Sequence, residues 1–305
     1  MKPLDHQIAA LTEIVARAKA FYDGYWRELP IKPRFNTMVV APTGSGKTAL
    51  ASMAAEAIGA TLLRLSVPGW IPAGSTGRTV AETIGTIAQA VALNQRTLLV
   101  LDELDKATPP TSSTTTSSWQ QYGMLEIFDL LDGRWPEGLK LPDDAEDNEI
   151  SREDLTAKLQ TSVFILGVGT FQDYFDGSGN KQTIGFGAES DTETDEISSD
   201  DLLEKLPREL VNRFSDLIRL PELQADHYRR IAKQACDSLP LRIRQAFSEA
   251  VAARIGAAIS EKRGVRFLEE SLMEVLKNLP PEPKYEIITV ANSEPETTDP
   301  FDLCI

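Results

Sequence analysis

Apolar side chains recur every three or four positions at Leu4, Ile8, Leu11, Val15, Ala18 and Tyr22. This spacing predicts an amphipathic helix over residues 5 to 22, lying on a larger body, with Asp5 as its N-cap. The pattern then changes. Met38, Val39 and Val40 form a short apolar run that enters a glycine-containing loop and then an alanine-rich helix ending at Gly59, a residue suited to the C′ position. Thr61 to Ser66 reads as a second strand, Val67 to Gly77 as irregular chain rich in Pro and Gly, and 78 to 93 as a helix. Thr97–Leu101 and Ser162–Val168 are apolar at nearly every position, as expected of strands buried on both faces of a parallel sheet. Between them, 107 to 118 reads as a polar loop, 122 to 132 as a helix through Met124, Ile127, Phe128, Leu130 and Leu131, and 136 to 155 as an acidic loop. Leu206 to Leu220 reads as a short helix entering a strand. From about 222 onward the period is helical, over 225–237, 244–261 and 265–278, broken at Pro240 and at Lys262-Arg263-Gly264.

This order predicts the α/β class. A helix and linker (1–35) precede an αβα domain with a parallel sheet (36–221), a small all-helical domain (222–282) and a partly disordered tail (283–305).

Chemistry concentrates at two strand ends. The loop A-P-T-G-S-G-K-T (Ala41 to Thr48) lies between a strand and a helix, the layout of a phosphate-binding P-loop. Gly44 and Gly46 let consecutive backbone N–H groups converge on phosphate, with Pro42, Thr43, Ser45 and Ala49 completing the cradle and its helix start. Lys47 supplies a point charge for the β- and γ-phosphates of a nucleotide, and the Thr48 hydroxyl suits Mg²⁺. The run T-L-L-V-L ends in Asp102 and Glu103, at the sheet edge where open α/β folds bind ligands. Asp102 is the candidate for the Mg²⁺ shell and Glu103 for orienting the attacking water. His6 stands at a helix start; a cap-region or surface role and an approach to an adenine ring are both open.

Composition narrows the picture. With 42% apolar and 25% charged residues the chain is globular, and it holds no apolar run of membrane-spanning length and no leader pattern, so a cytoplasmic, membrane-free protein is expected. Cys236 and Cys304, with His6 and His227, are too few for a zinc cluster or a disulfide framework. A formal net charge of −15 opposes broad nucleic-acid binding, despite a modest cluster at Arg229, Arg230, Lys233, Arg242 and Arg244. Residues 189 to 204 hold eight acids and no base, a solvated loop by default.

With these parts in this order, the chain resembles the AAA+ ATPases, and within them the ClpX-type protein unfoldases. Ala41–Thr48 and L-V-L-D-E-L-D-K (Leu99–Lys106) are similar to the family's Walker A and Walker B segments. The resemblance implies a P-loop AAA+ sandwich with a helical lid, assembling as a homo-oligomer, a hexameric ring, around ATP and Mg²⁺. It implies that G-V-R (Gly264–Arg266) carries a sensor-2 arginine, Arg266, reaching the γ-phosphate, and that Thr170, just beyond the 162–168 strand, is the sensor-1 residue. Arg213, in V-N-R-F, takes the place of the arginine finger that enters a neighbouring subunit's site, with Arg208 a weaker alternative. Ile184, Gly185 and Phe186 resemble the loop with which ClpX docks on the ClpP peptidase. Where the family has an aromatic between two pore-loop glycines, this chain has Ser75-Thr76 between Gly74 and Gly77, with Trp70 four residues before Gly74. A hydroxyl cannot supply a ring's contact area. The implied function is a protein remodeller or unfoldase, with a nucleotide-gated switch of slow turnover as the alternative and a nucleic-acid motor third.

Overall fold

The structure is a computed structural model that describes residues 3–70, 80–107, 116–136, 151–171 and 206–279. Its elements run α1 (Asp5–Asp23), β1 (Thr37–Val40), α2 (Lys47–Ile58), β2 (Thr61–Ser66), a helical turn α3 (Val67–Trp70), α4 (Val80–Leu93), β3 (Thr97–Asp102), α5 (Thr116–Leu131), α6 (Arg152–Ser162), β4 (Val163–Gly169), α7 (Arg208–Val211), β5 (Asp216–Arg219), α8 (Ala225–Ser238), α9 (Leu241–Ser260) and α10 (Arg266–Asn278).

The described strands form one parallel sheet in the order β2-β3-β4-β1-β5. Every residue of β1 and β4 is buried, and in β3 every residue but the last. Successive side chains go to opposite layers: Leu99, Leu101, Val163 and Ile165 pack with α4, α5 and α6, whereas Leu98, Val100, Phe164 and Leu166 pack with α1 and α2. Continuous apolar strands are the consequence of covering both faces, the αβα arrangement that the sequence predicts. Helices α8, α9 and α10 enclose a third apolar cluster around Tyr228, Phe247, Val251, Phe267 and Val275.

Register fixes the functional edge. Val40 pairs with Gly169 and Arg219, and Ser66 pairs with Asp102, so the chain leaves β1, β3 and β4 on the same side of the sheet.

Five expectations differ from the structure. The buried stripe of α1 is Gln7, Ala10, Ile14, Ala18 and Phe21, and Ile8 is exposed. Asp5 is its first residue; the N-cap position is Leu4, whose N–H donates to Gln7 Oε1 at 3.1 Å. Residues 152–155, expected in a loop, open α6, where the Ser151 hydroxyl accepts from the Asp154 N–H at 3.0 Å and Leu155 and Leu159 are buried. Val67–Trp70 is helical and α5 begins at Thr116. The acidic segment 189–204, Ile184-Gly185-Phe186, the Ser75-Thr76 pair and the tail from 283 lie outside the described residues.

Candidate nucleotide-binding site

At the functional edge a cavity of about 820 Å³ is lined by Thr43, Gly44, Lys47, Thr48, Arg64, Ser66, Asp102, Glu103, Asp105, Lys106, Thr170 and Arg266. The P-loop, the end of β3, the residue after β4 and the first residue of α10 therefore meet around one space.

The loop takes the backbone that its glycines allow. Gly44 and Gly46 have φ of 76° and 89°, left-handed conformations that turn the loop over the start of α2. The α1 helix braces this turn: Gln7 Nε2 donates to the Gly46 carbonyl at 3.3 Å and His6 Nε2 to the Ser45 carbonyl at 3.2 Å. His6 is thus no free surface residue. Its ring sits 4.6 Å from that of His227, and burial, ahead of the opposing Ser45 contact, lowers its pKa.

Lys47 reaches back to the carbonyl oxygens of Ala41 and Pro42, at 2.8 and 3.0 Å. Burial lowers its pKa to about 8, against the opposing pull of Asp102 and Asp105. An ammonium with little water around it is primed for an anion.

Asp102 pairs with Arg64, whose Nε donates at 2.7 Å, and its Oδ1 accepts the Glu103 N–H at 2.9 Å. Glu103 has φ 58°, a left-handed backbone that costs a non-glycine residue about 1–2 kcal/mol. Its carboxylate accepts from Ser66 Oγ at 2.8 Å and from Lys106. Those two hydrogen bonds, Lys106 first, hold its pKa below the usual range. Such a carboxylate stays ionised and is better suited to orienting water than to capturing its proton. Thr170 N–H donates to Asp105 Oδ1 at 3.0 Å, which ties the end of β4 to the loop after β3.

The helical cluster closes over the loop at one contact. A Cβ built on Gly264 would meet Gly44 Cα at 2.4 Å, and the Gly264 N–H donates to the Tyr228 hydroxyl at 3.1 Å. This contact, with Val265 as N-cap, brings Arg266 to the cavity. Pro42, Thr43, Glu222, Leu223, Tyr228 and Lys262 line a smaller space of about 130 Å³ beside it.

The donor set suits a nucleotide with a hard cation: backbone N–H groups at a helix start, a lysine, a threonine hydroxyl and an aspartate face one space. Arg213 is elsewhere, against Asp132. The basic cluster is largely engaged: Arg229 pairs with Asp226, Arg230 with Asp5, and Arg244 donates to the carbonyls of Asp237 and Leu239. Sequence reasoning did not include Arg64, Ser66, Asp105 or Lys106. Arg64 and Ser66 alternate at the end of β2, so strand order alone would have found them.

Residues 37–174 match the family described as "AAA: ATPase family associated with various cellular activities". The chain is also similar to three Clp proteins. It is 21% identical over 79% of its length to the negative regulator of genetic competence ClpC/MecB of Bacillus subtilis (strain 168), covering 28% of that protein. It is 23% identical over 66% of its length to the ATP-dependent Clp protease ATP-binding subunit ClpE of the same organism, covering 26%. To the chaperone protein ClpB of Lactococcus lactis subsp. lactis (strain IL1403) it is 22% identical over 94% of its length, covering 32%. The chain thus spans about a third or less of these relatives. No helix among the described residues is long and apolar enough to cross a membrane.

Proposed function

We propose that this chain is a subunit of a cytoplasmic, hexameric AAA+ ring that hydrolyses ATP to remodel or unfold a protein partner. The observation that carries the reading is the single cavity shared by Lys47, Thr48, Asp102, Glu103, Thr170 and Arg266. ATP is the substrate. Lys47 binds its β- and γ-phosphates, Thr170 and Arg266 contact the γ-phosphate, and Glu103 holds the attacking water by accepting its hydrogen bond. Thr48 and Asp102 would hold Mg²⁺, which would supply charge neutralisation at the phosphate oxygens. Arg213 enters a neighbouring subunit's site and stabilises the transition state there. Residues 222–282 act as the lid that carries Arg266.

Two of the relatives, a protease ATP-binding subunit and a chaperone protein, support action on proteins. ClpX-like docking on a ClpP-like peptidase is the finer form, resting on Ile184, Gly185 and Phe186. Ser75-Thr76 favours a second reading, a nucleotide-gated switch that recruits a partner without translocating polypeptide.

Steady-state ATP turnover with and without an unfolded polypeptide separates the two. Stimulation by polypeptide, with turnover lost in Arg213→Ala and in Glu103→Gln while both still bind ATP, is the expected result. Ring-dependent turnover indifferent to polypeptide would favour the switch. Undiminished hydrolysis by Glu103→Gln would remove its assignment.

A further inference from the structure

Arg213 is held in place by its own subunit. It follows α7 on a turn whose backbone is tied to the end of α5 by Asn36, which donates to the carbonyls of Leu131 at 2.7 Å and Arg213 at 3.0 Å. The guanidinium lies over the Phe128 ring, 4.4 Å from its centroid. Its Nε and Nη2 donate to one oxygen of Asp132 at 3.1 and 2.9 Å, and Nη1 donates to the Glu209 carbonyl at 2.6 Å.

These bonds use the side edge of the guanidinium and one end of it. Of five N–H groups, one on each terminal nitrogen makes no bond among the described residues. The side chain is still 21% exposed. An arginine with a stacked face, an anchored side edge and terminal N–H groups left over is oriented before it meets an anion. Little rotamer freedom then remains to be lost on contact.

The surroundings add charge. Asp132 also lies 3.7 Å from Arg34 and 3.4 Å from Arg134, and Arg134 pairs with Asp129 at 3.1 Å. Three arginines against two carboxylates leave net positive charge on a chain of net charge −15. A surface of that sign suits the phosphates of a nucleotide held by another copy.

From this geometry we infer that Asp132, with Phe128 stacked beneath, is the positioning residue that aims Arg213 at the nucleotide of the adjacent subunit. The inference rests on Arg213 acting in trans, as proposed above. Asp132 touches no reacting atom. It fixes the direction of the group that does, and by neutralising part of the cluster it keeps Arg213 from being repelled by Arg34 and Arg134.

Mixed assemblies test it, because the aspartate must then act on a site in a different polypeptide. Glu103→Gln subunits supply fingers but no hydrolysis, and Arg213→Ala subunits supply hydrolytic sites but no fingers, so mixing the two is expected to restore turnover. With Glu103→Gln/Asp132→Asn as the finger donor, kcat of the mixture should fall at least about tenfold with KM for ATP within about twofold, since aim matters most in the transition state. Glu103→Gln/Phe128→Leu as donor should give a smaller loss in the same direction. Gel filtration with ATP checks that each donor assembles, and the Phe128→Leu donor carries the test if the aspartate variant does not fold. Adding Asp132→Asn to Arg213→Ala should change nothing further, because the aspartate acts only through that arginine. If the original mixture fails to recover turnover, Arg213 is not a trans finger and the inference falls with it. If it recovers, and the Asp132→Asn donor recovers as well, positioning by Asp132 is wrong while the finger stands.

Discussion

Lys47 is the residue whose surroundings do most to set the site's behaviour. Burial brings its pKa to about 8, below an ordinary lysine, so the ammonium is disfavoured in the folded protein. The sign follows. Below about pH 8 the folded protein carries the charge at a cost in stability, and that cost disappears as pH rises toward the unfolded value. Phosphate reverses the preference by supplying a counter-charge. ATP affinity should therefore be flat below pH 8 and weaken above it, approaching about tenfold per pH unit until the bound-state pKa is reached. Calorimetric titration of ATP from pH 7 to 9.5 reads this directly. Lys47→Met should bind weakly with no such dependence; an unchanged slope in that variant would assign the titration to another group. Glu103 follows the opposite rule, its carboxylate held ionised by Lys106 and Ser66 on a strained backbone.

Among elements, the contact between the P-loop and the start of α10 is the one that could not be read from spacing. Gly264 has φ 66° and its backbone lies on that of Gly44, so neither side can yield to a methyl group. Gly59 offers the matching control, with φ 63° and nothing within 4 Å of a built Cβ. Gly59→Ala should cost about 1 kcal/mol from backbone strain alone, whereas Gly264→Ala should cost at least about 2 kcal/mol and weaken ATP binding as Arg266 is displaced. Urea midpoints and ATP affinities of the two variants decide; equal costs would mean that the contact can relax. Strands β1, β3 and β4 were legible because both faces are covered, and a run such as T-L-L-V-L has few other uses. The P-loop, Asp102 and Glu103 were read at strand ends, where the structure brings them to one cavity, whereas Thr170, which joins them there, was implied by the family resemblance. Helix α1 was legible as a helix but not in its rotation. Apolar residues occupy more than one face, and the docking of Gln7 on Gly46, with small Ala10 and Ala18 against the body, chooses which is buried. Helix α6 was missed because R-E-D-L-T-A-K-L-Q has only two buried leucines, although Ser151 and Asp154 carried a capping signal.

At the scale of the whole molecule, His6 joins α1, the P-loop and the helical cluster at one point. Nε2 donates to Ser45, so in the neutral ring Nδ1 is the bare nitrogen; it is buried with no hydrogen-bond partner, and the ring packs on His227 from α8. Nearby, Arg230 of α8 pairs with Asp5 of α1. Protonating His6 would put charge into this junction, and its lowered pKa, due first to burial and also to His227 with Asp5 opposing, expresses that cost. For a histidine with a depressed folded pKa, stability is full above the unfolded value near 6.5 and declines as pH falls through that value toward the folded one. Acidification also neutralises carboxylates on a chain of net charge −15, so the raw melting curve mixes several effects. A comparison isolates the histidine. His6→Gln keeps a neutral donor for Ser45 but cannot titrate, so its melting temperature should fall less than the parent's between pH 7.5 and pH 5.5, and the two should behave alike above pH 7. Because the junction braces the P-loop, ATP affinity of the parent should weaken in the same acid range and that of the variant should hold. Parallel melting shifts in the two proteins would mean that the junction tolerates the charge, and the acid response would then belong to the carboxylates.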